Sequence, residues 1–382
     1  MTIFFITHYS GLYGANRSLF SIVSFLKNRG IKVKVGLPFA GDFFELLRSN
    51  GIECILLKFK YSCFSKGLKG LVRGILYTLY DIWRFPALLK QIKSEKADII
   101  YSNSSVFYHG YFVSRILKIP HIWHLREFGL EDYELLRPFG KKFFLKLLRK
   151  SEAVIAISKS IKNYYLQNNN PNCFMVYNGL PNLNPNGFIP KIKQGGTIGF
   201  FIIGHISPSK GQMEAIKAFE RFLCLDDKAL LSIIGNGDEH YVNSLKRYCE
   251  DSSLLKNKVN FMGYLKNPYE QFKNFNYMLM YSKMEGFGRV TIESMQWGIP
   301  VIGLNNAGTS ELVIDNYNGY LFSDPESALE ILFPKLINMD NYNKLTKNCI
   351  EYATQNFSEV NYCFEISKIV NMVFIKYGRK IN

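Results

Sequence analysis

No stretch of this 382-residue chain stays apolar for the ~18 positions that a bilayer-spanning helix needs. Arg73, Asp81 and Arg84 interrupt the nearest candidate. Cysteine is sparse. Cys54, Cys63, Cys173, Cys224, Cys249, Cys349 and Cys363 are odd in number, scattered and never spaced Cys-x-x-Cys. That argues against a zinc site and a disulfide framework and fits a reducing compartment. The first residues, Met1 to Thr7, lack a basic segment and a long apolar core, and they read as a buried strand rather than a signal peptide. There is no internal repeat and no low-complexity segment.

Acidic residues are scarce in one half only. Residues 1–182 hold 26 Lys and Arg against 11 Asp and Glu, whereas residues 183–382 hold 21 against 20. The formal net charge of +16 therefore lies almost wholly in the first half, and such asymmetry implies a polyanionic partner there. The cations alternate with large apolar residues in Lys141–Lys150 and in Lys66–Lys93, where Leu68, Leu71, Ile75, Leu76, Leu79, Ile82 and Trp83 recur at near-helical spacing. Basic amphipathic helices of this kind suit an anionic bilayer surface better than a nucleic acid, and no nucleic acid is expected.

The length suits two domains. Apolar runs at Ile3–Ile6, Lys32–Leu37, Ile52–Leu57, Ile99–Ser102, His121–His124 and Ala153–Ile157 read as strands, with helical patterns between them at Ser18–Asn28 and Gly41–Asn50. A second series starts at Thr197–Gly204. It continues through Leu230–Ile234, Val259–Met262, Tyr277–Tyr281, Val301–Leu304 and Tyr320–Phe322. Strand–helix alternation predicts parallel, doubly wound sheets, and the turn-rich Pro181–Gly187 marks a linker. The expected fold class is α/β: two Rossmann-like domains facing a cleft, with boundaries 1–182, 183–357 and a final segment 358–382.

Glu285-Gly286-Phe287-Gly288-Arg289-Val290-Thr291-Ile292-Glu293 follows a strand candidate and opens a helical pattern. Two glycines let a ligand approach the backbone, the helix start offers free N–H groups to phosphate, and the two carboxylates accept hydrogen bonds from hydroxyls. The segment suits a molecule with phosphate in the middle and sugar at both ends.

Together with Gly298–Ile302, Gly308–Glu311 and Asn318–Leu321, this segment resembles the C-terminal signature of the retaining family-4 glycosyltransferases. The resemblance implies the two-domain glycosyltransferase-B fold, a nucleotide-diphospho-sugar donor, and a last helix, residues 359–377, returning to the N-terminal domain. Glu285 would orient the donor sugar and Glu293 the ribose. Gly286, Phe287, Gly288, Val290 and Thr291 would complete the donor cradle. Lys210, in Gly204–Gly211, matches the family's diphosphate lysine, while His205 replaces an arginine. Either His205 is held protonated by the diphosphate or another group supplies that charge. Gly235, Gly263 and Tyr264 fall where the nucleotide is usually met.

In the first half, Gly14 belongs to a loop resembling the family's glycine loop, with Asn16 where Glu is common. His124 matches the active-site histidine, and Asn103 and Arg126 would lie on the acceptor side. Ser158 reads as a helix cap. The chain has no Asp-x-Asp, the metal–diphosphate motif of the other major glycosyltransferase fold, so neither metal nor cofactor is expected. The implied function is retaining transfer from a UDP- or GDP-sugar to a glycan acceptor, polyprenyl-diphosphate-linked, in cell-surface polysaccharide synthesis. The implied location is the cytoplasmic face of the membrane. The rival readings are a nucleotide-sugar epimerase or soluble-acceptor synthase of the same fold, and a non-catalytic membrane- or polyanion-binding relative.

Overall fold

A computed structural model of the chain describes residues 1–61, 63–166, 171–191 and 196–377. It divides into two compact units, Met1–Gly179 with Glu359–Asn382, and Leu180–Ser358. Residues 378–382 of the expected final segment lie outside the described residues.

The first unit contributes strands β1 (Thr2–Ile6), β2 (Lys32–Leu37), β3 (Glu53–Leu56), β4 (Phe64–Ser65), β5 (Ile99–Ser102), β6 (His121–Leu125), β7 (Leu135–Leu136), β8 (Ala153–Ala156) and β9 (Cys173–Met175). Seven of them form a sheet in the order β3-β2-β1-β5-β6-β8-β9, with every pairing parallel. Strands β4 and β7 form a separate antiparallel pair. Ile3, Phe4, Phe5 and Ile6 are all fully buried. A parallel sheet covered on both faces requires such a continuous apolar run rather than alternation. The final helix, Glu359–Tyr377, supplies Tyr362, Cys363, Ile366, Val370 and Val373 to the same core as Ile3, Phe5, Leu19 and Ile22.

The second unit contributes β10 (Gly199–Ile203), β11 (Leu230–Ile234), β12 (Val259–Gly263), β13 (Tyr277–Met280), β14 (Val301–Leu304) and β15 (Gly319–Phe322). They form a parallel sheet ordered β12-β11-β10-β13-β14-β15. In each sheet the order reverses beside the unit's first strand, between β1 and β5 and between β10 and β13. In open α/β sheets ligands bind at such points, outside the carboxyl ends of the strands.

The two basic amphipathic stretches part company. In the helix Gly140–Arg149 the apolar side is a core face: Phe144, Leu147 and Leu148 are buried. Phe144 packs edge-on to Trp123 at 4.9 Å between ring centroids, and the Arg137 guanidinium lies 3.9 Å from its ring centre. The expectation that these apolar residues face a bilayer is therefore corrected, although Lys141, Lys142, Lys146, Arg149 and Lys150 are exposed. The helix Leu68–Ser94 buries Leu88 and Ile92 near its end but leaves the apolar residues of its first four turns in solvent.

Candidate active site

In the second unit, the loops at the switch point bring Lys210 and Glu285 together. Lys210 ends a short 3-10 turn, Pro208–Lys210, after β10. The next residue, Gly211, has φ +72°, and a Cβ there would lie 2.2 Å from the Tyr281 carbonyl oxygen at the end of β13, so glycine is required by both conformation and space. The Lys283 N–H donates to the Ser209 carbonyl at 2.9 Å, tying the two loops backbone to backbone. Lys210 Nζ then lies 2.7 Å from Glu285 Oε2, both side chains largely shielded from solvent. Gly308 braces the loop from the other side, its N–H donating to the Glu285 carbonyl at 2.9 Å.

Gly288 takes the left-handed conformation (φ +85°) and starts the helix Arg289–Gln296. Thr291 Oγ1 is buried and has no hydrogen-bond partner among the described residues. Glu293 is buried and accepts from Arg289 Nε at 2.8 Å, one helical turn back. Arg289 was missed by the sequence reading, although its i, i+4 spacing to Glu293 is a recognised ion-pair signal. Val290 is half-buried, and Phe287 is buried with its ring 5.9 Å from that of Phe357.

Gly235, between β11 and its helix, has φ +143°, and a Cβ there would lie 1.8 Å from the Gly204 carbonyl oxygen. Its own N–H donates to the Gly263 carbonyl at 2.8 Å. The glycine turns after β10, β11 and β12 thus lock into one another, and close loop packing accounts for Gly235. His205 and Tyr264 are exposed, and Gly263 has open space where a Cβ would stand.

In the first unit, Gly14 opens the helix Gly14–Asn28 and is exposed. Asn16 is fully buried. It accepts from Thr7 Oγ1 at 2.8 Å and donates to the carbonyls of Tyr9 (3.1 Å) and Gly11 (2.9 Å). Only an amide both accepts and donates in this way, so the loop after β1 is folded around a residue that a glutamate cannot replace. Asn103, at the end of β5, donates to the Ala15 carbonyl at 3.3 Å and accepts from Arg126 Nε at 2.9 Å. Arg126 also reaches Asn178 Oδ1 at 2.5 Å and the Tyr362 hydroxyl at 3.2 Å. Both residues expected on the acceptor side are therefore buried and bonded to each other.

His124, at the end of β6, is fully buried with Nδ1 2.5 Å from the Tyr101 hydroxyl. Its Nε2 has no partner among the described residues. Burial and then the Arg126 charge hold its pKa well below the usual histidine value, so the ring is neutral at neutral pH. Ser158 Oγ accepts from the Ile161 N–H at 3.1 Å, the cap geometry expected for that helix start. Among the described residues no group of three or more His, Cys, Asp or Glu is placed to hold a metal, and no helix is long and apolar enough to cross a membrane.

Two parallel-sheet α/β units with glycine loops at the strand ends are the architecture of the GT-B glycosyltransferases. Residues 13–181 match the family described as Glycosyltransferase Family 4, and residues 189–356 match Glycosyl transferases group 1. The chain belongs to the family-4, group 1 glycosyltransferases. An uncharacterized glycosyltransferase of Methanocaldococcus jannaschii is 28% identical over 294 residues, 74% of this chain and 76% of that one. The UDP-Gal:alpha-D-GlcNAc-diphosphoundecaprenol alpha-1,3-galactosyltransferase of Escherichia coli is 24% identical over 318 residues, 78% of this chain and 81% of that one. The crystal structure of Anabaena HepE in complex with UDP-glucose shares the fold, with a TM-score of 0.78, 21% identity and coverage of 97% and 100%.

Proposed function

We propose that the chain is a retaining, metal-independent hexosyltransferase. It moves a sugar from a UDP- or GDP-sugar to a glycan carried on polyprenyl diphosphate, at the cytoplasmic face of the membrane, in cell-surface polysaccharide synthesis. The observation that carries the reading is the Lys210–Glu285 pair at the β10/β13 switch point, beside the start of the helix Arg289–Gln296. A cation, a helix N-terminus and a carboxylate able to accept from sugar hydroxyls come together there.

In the reaction, Lys210 meets the diphosphate as negative charge grows on it. A group aimed at that charge stabilises the transition state more than the ground state. Glu285, freed from Lys210 by the donor, accepts hydrogen bonds from the sugar hydroxyls and fixes the ring. Glu293 holds the ribose, and the Thr291 hydroxyl and the N–H groups around Gly288 line the phosphate cradle. The departing phosphate oxygen takes the acceptor proton on the same face as the attack, as the family resemblance implies. No protein nucleophile is then needed. His124, neutral and with Nε2 unpaired among the described residues, is the active-site histidine of the first unit that the family resemblance implies. Asn103 and Arg126 act on the acceptor side by holding the loop after β1.

A polyanionic, lipid-linked acceptor is supported by the net +15 of residues 1–182 and by the diphosphoundecaprenol acceptor named for the E. coli relative. The test is turnover over a panel of UDP- and GDP-sugars with a prenyl-diphosphate-linked glycan, the anomer of the product being read by NMR. One donor should be used with its α-configuration kept. Inversion would overturn the retaining assignment, and failure to bind any nucleotide-sugar would overturn the transferase reading.

A further inference from the structure

Leu68, Leu71, Val72, Ile75, Leu76, Leu79, Ile82 and Trp83 are 45–78% exposed, all on the first four turns of the helix Leu68–Ser94. At ~100° per residue they fall within an arc of about 140°, one continuous stripe about 24 Å long. A single exposed leucine needs no explanation, but a stripe of eight does.

The outward direction of this stripe is built into the helix. Its opposite side carries Gly70 and Gly74. A Cβ at Gly70 would lie 1.9 Å from the Ser65 carbonyl oxygen, and one at Gly74 would lie 2.5 Å from the Phe64 ring. The helix backbone therefore rests directly on β4, and only glycine allows this approach. Asp81 fixes the same side, accepting from the Lys60 N–H at 2.7 Å and pairing with His109 Nε2 at 3.1 Å. The polar and glycine face is bound to the body of the unit, and the apolar face is the one presented. On the wheel Lys69, Arg73 and Arg84 flank the stripe on one side, and exposed Lys66 precedes the helix.

We infer that this stripe inserts into an anionic lipid bilayer, with the helix lying in the plane of the interface and Trp83 at headgroup level. The occupant follows from the chemistry. An aliphatic stripe edged by cations and ending in an exposed tryptophan matches acyl chains beneath anionic headgroups. The inference deepens the proposed membrane location by assigning insertion to residues 68–83, while the Gly140–Arg149 helix offers only its exposed cations.

The full chain should float with phosphatidylcholine vesicles containing phosphatidylglycerol, and the emission of Trp83 should shift to the blue. High salt should weaken binding only in part, because the apolar contribution is not screened. The double variant Ile75→Asn, Leu79→Asn alters two exposed side chains, and its fold is checked by circular dichroism and melting. It should lose about tenfold or more of vesicle affinity while turnover with a short-chain, water-soluble acceptor stays at the wild-type level. Equal binding by the variant, or no blue shift in the wild type, overturns the inference. So does a concentration-dependent dimer that the same variant abolishes, since a second copy would then cover the stripe. If wild type binds vesicles but turns over no acceptor, the transferase reading fails and the insertion stands.

Discussion

Lys210 and Glu285, 75 positions apart, meet at 2.7 Å because β10 and β13 are neighbours in the sheet and the loops that follow them are tied backbone to backbone. Each neutralises the other in a shielded place. In the proposed reaction an entering donor parts them, bringing the diphosphate for one and the hydroxyls for the other.

The pair should therefore fail asymmetrically. Lys210→Ala removes the cation proposed to meet the growing phosphate charge, and kcat should fall by about 10²–10³-fold. Glu285→Gln should cut turnover as severely while leaving nucleoside diphosphate affinity near wild type. Steady-state kinetics and calorimetry separate the two. A parallel loss of affinity in Glu285→Gln would place that side chain against the nucleotide instead.

Glu293 has two claims on it, the ribose and Arg289. If it binds ribose, Glu293→Ala should weaken nucleoside diphosphate binding about tenfold or more, since unpaired buried hydroxyls cost about 1–3 kcal/mol. Arg289→Ala should then weaken it less. Equal losses in the two variants would mean that Glu293 serves only to hold Arg289.

Asn16→Glu, a change toward the residue commoner in the family, should destabilise the protein. It forfeits the two donated bonds to Tyr9 and Gly11 and puts a charge in a fully buried position, at about 1–3 kcal/mol or more. A lower urea midpoint would register this. Unchanged stability would show that the loop after β1 is not pinned by the amide.

Acid should destabilise the protein early. Burial depresses the pKa of both His121 and His124 in the folded chain. The unfolded chain therefore binds more protons below the ordinary histidine pKa of about 6.5. The full contribution to stability is present above that pH and is lost as pH falls from it toward the folded values. His124→Asn should flatten the pH dependence of the urea midpoint below pH 6.5 by about one proton's worth. A slope equal to wild type would contradict the neutral buried ring.

Turnover should survive excess EDTA if, as proposed, Lys210 and a helix start take the place of a cation at the diphosphate. Full loss on chelation, restored by Mg²⁺ or Mn²⁺, would show that a cation takes part.

Much of the fold was legible because parallel strands buried on both faces are written as uninterrupted apolar runs. Ile3–Ile6 and Val301–Leu304 needed no tertiary information. Cys173–Met175 was missed, being three residues long and only half-buried at the sheet edge. Of the site, Glu285 and Glu293 were visible as a glycine-flanked pair, but their bonds to Lys210 and Arg289 were not anticipated. The Lys210–Glu285 bond depends on strand order, which no local spacing records. Periodicity found an apolar face on both 68–83 and 141–150 but could not say what lay against each. The sign that did distinguish them was Gly70 and Gly74, whose spacing marks the side of the helix that must come close to another backbone.

The helix Glu359–Tyr377 completes a core begun by β1, and this sets the order of events on the ribosome. The strands of the first unit emerge while the segment that covers Ile3 and Phe5 is still untranslated. Residues 180–358 must be made first, which takes roughly 10–40 s at about 5–20 residues per second. During that interval the nascent first unit waits with an open flank, and the second unit, continuous in the chain, is free to fold ahead of it. Synthesis of residues 359–377, rather than emergence of the N-terminus, is then the moment from which the first unit can close.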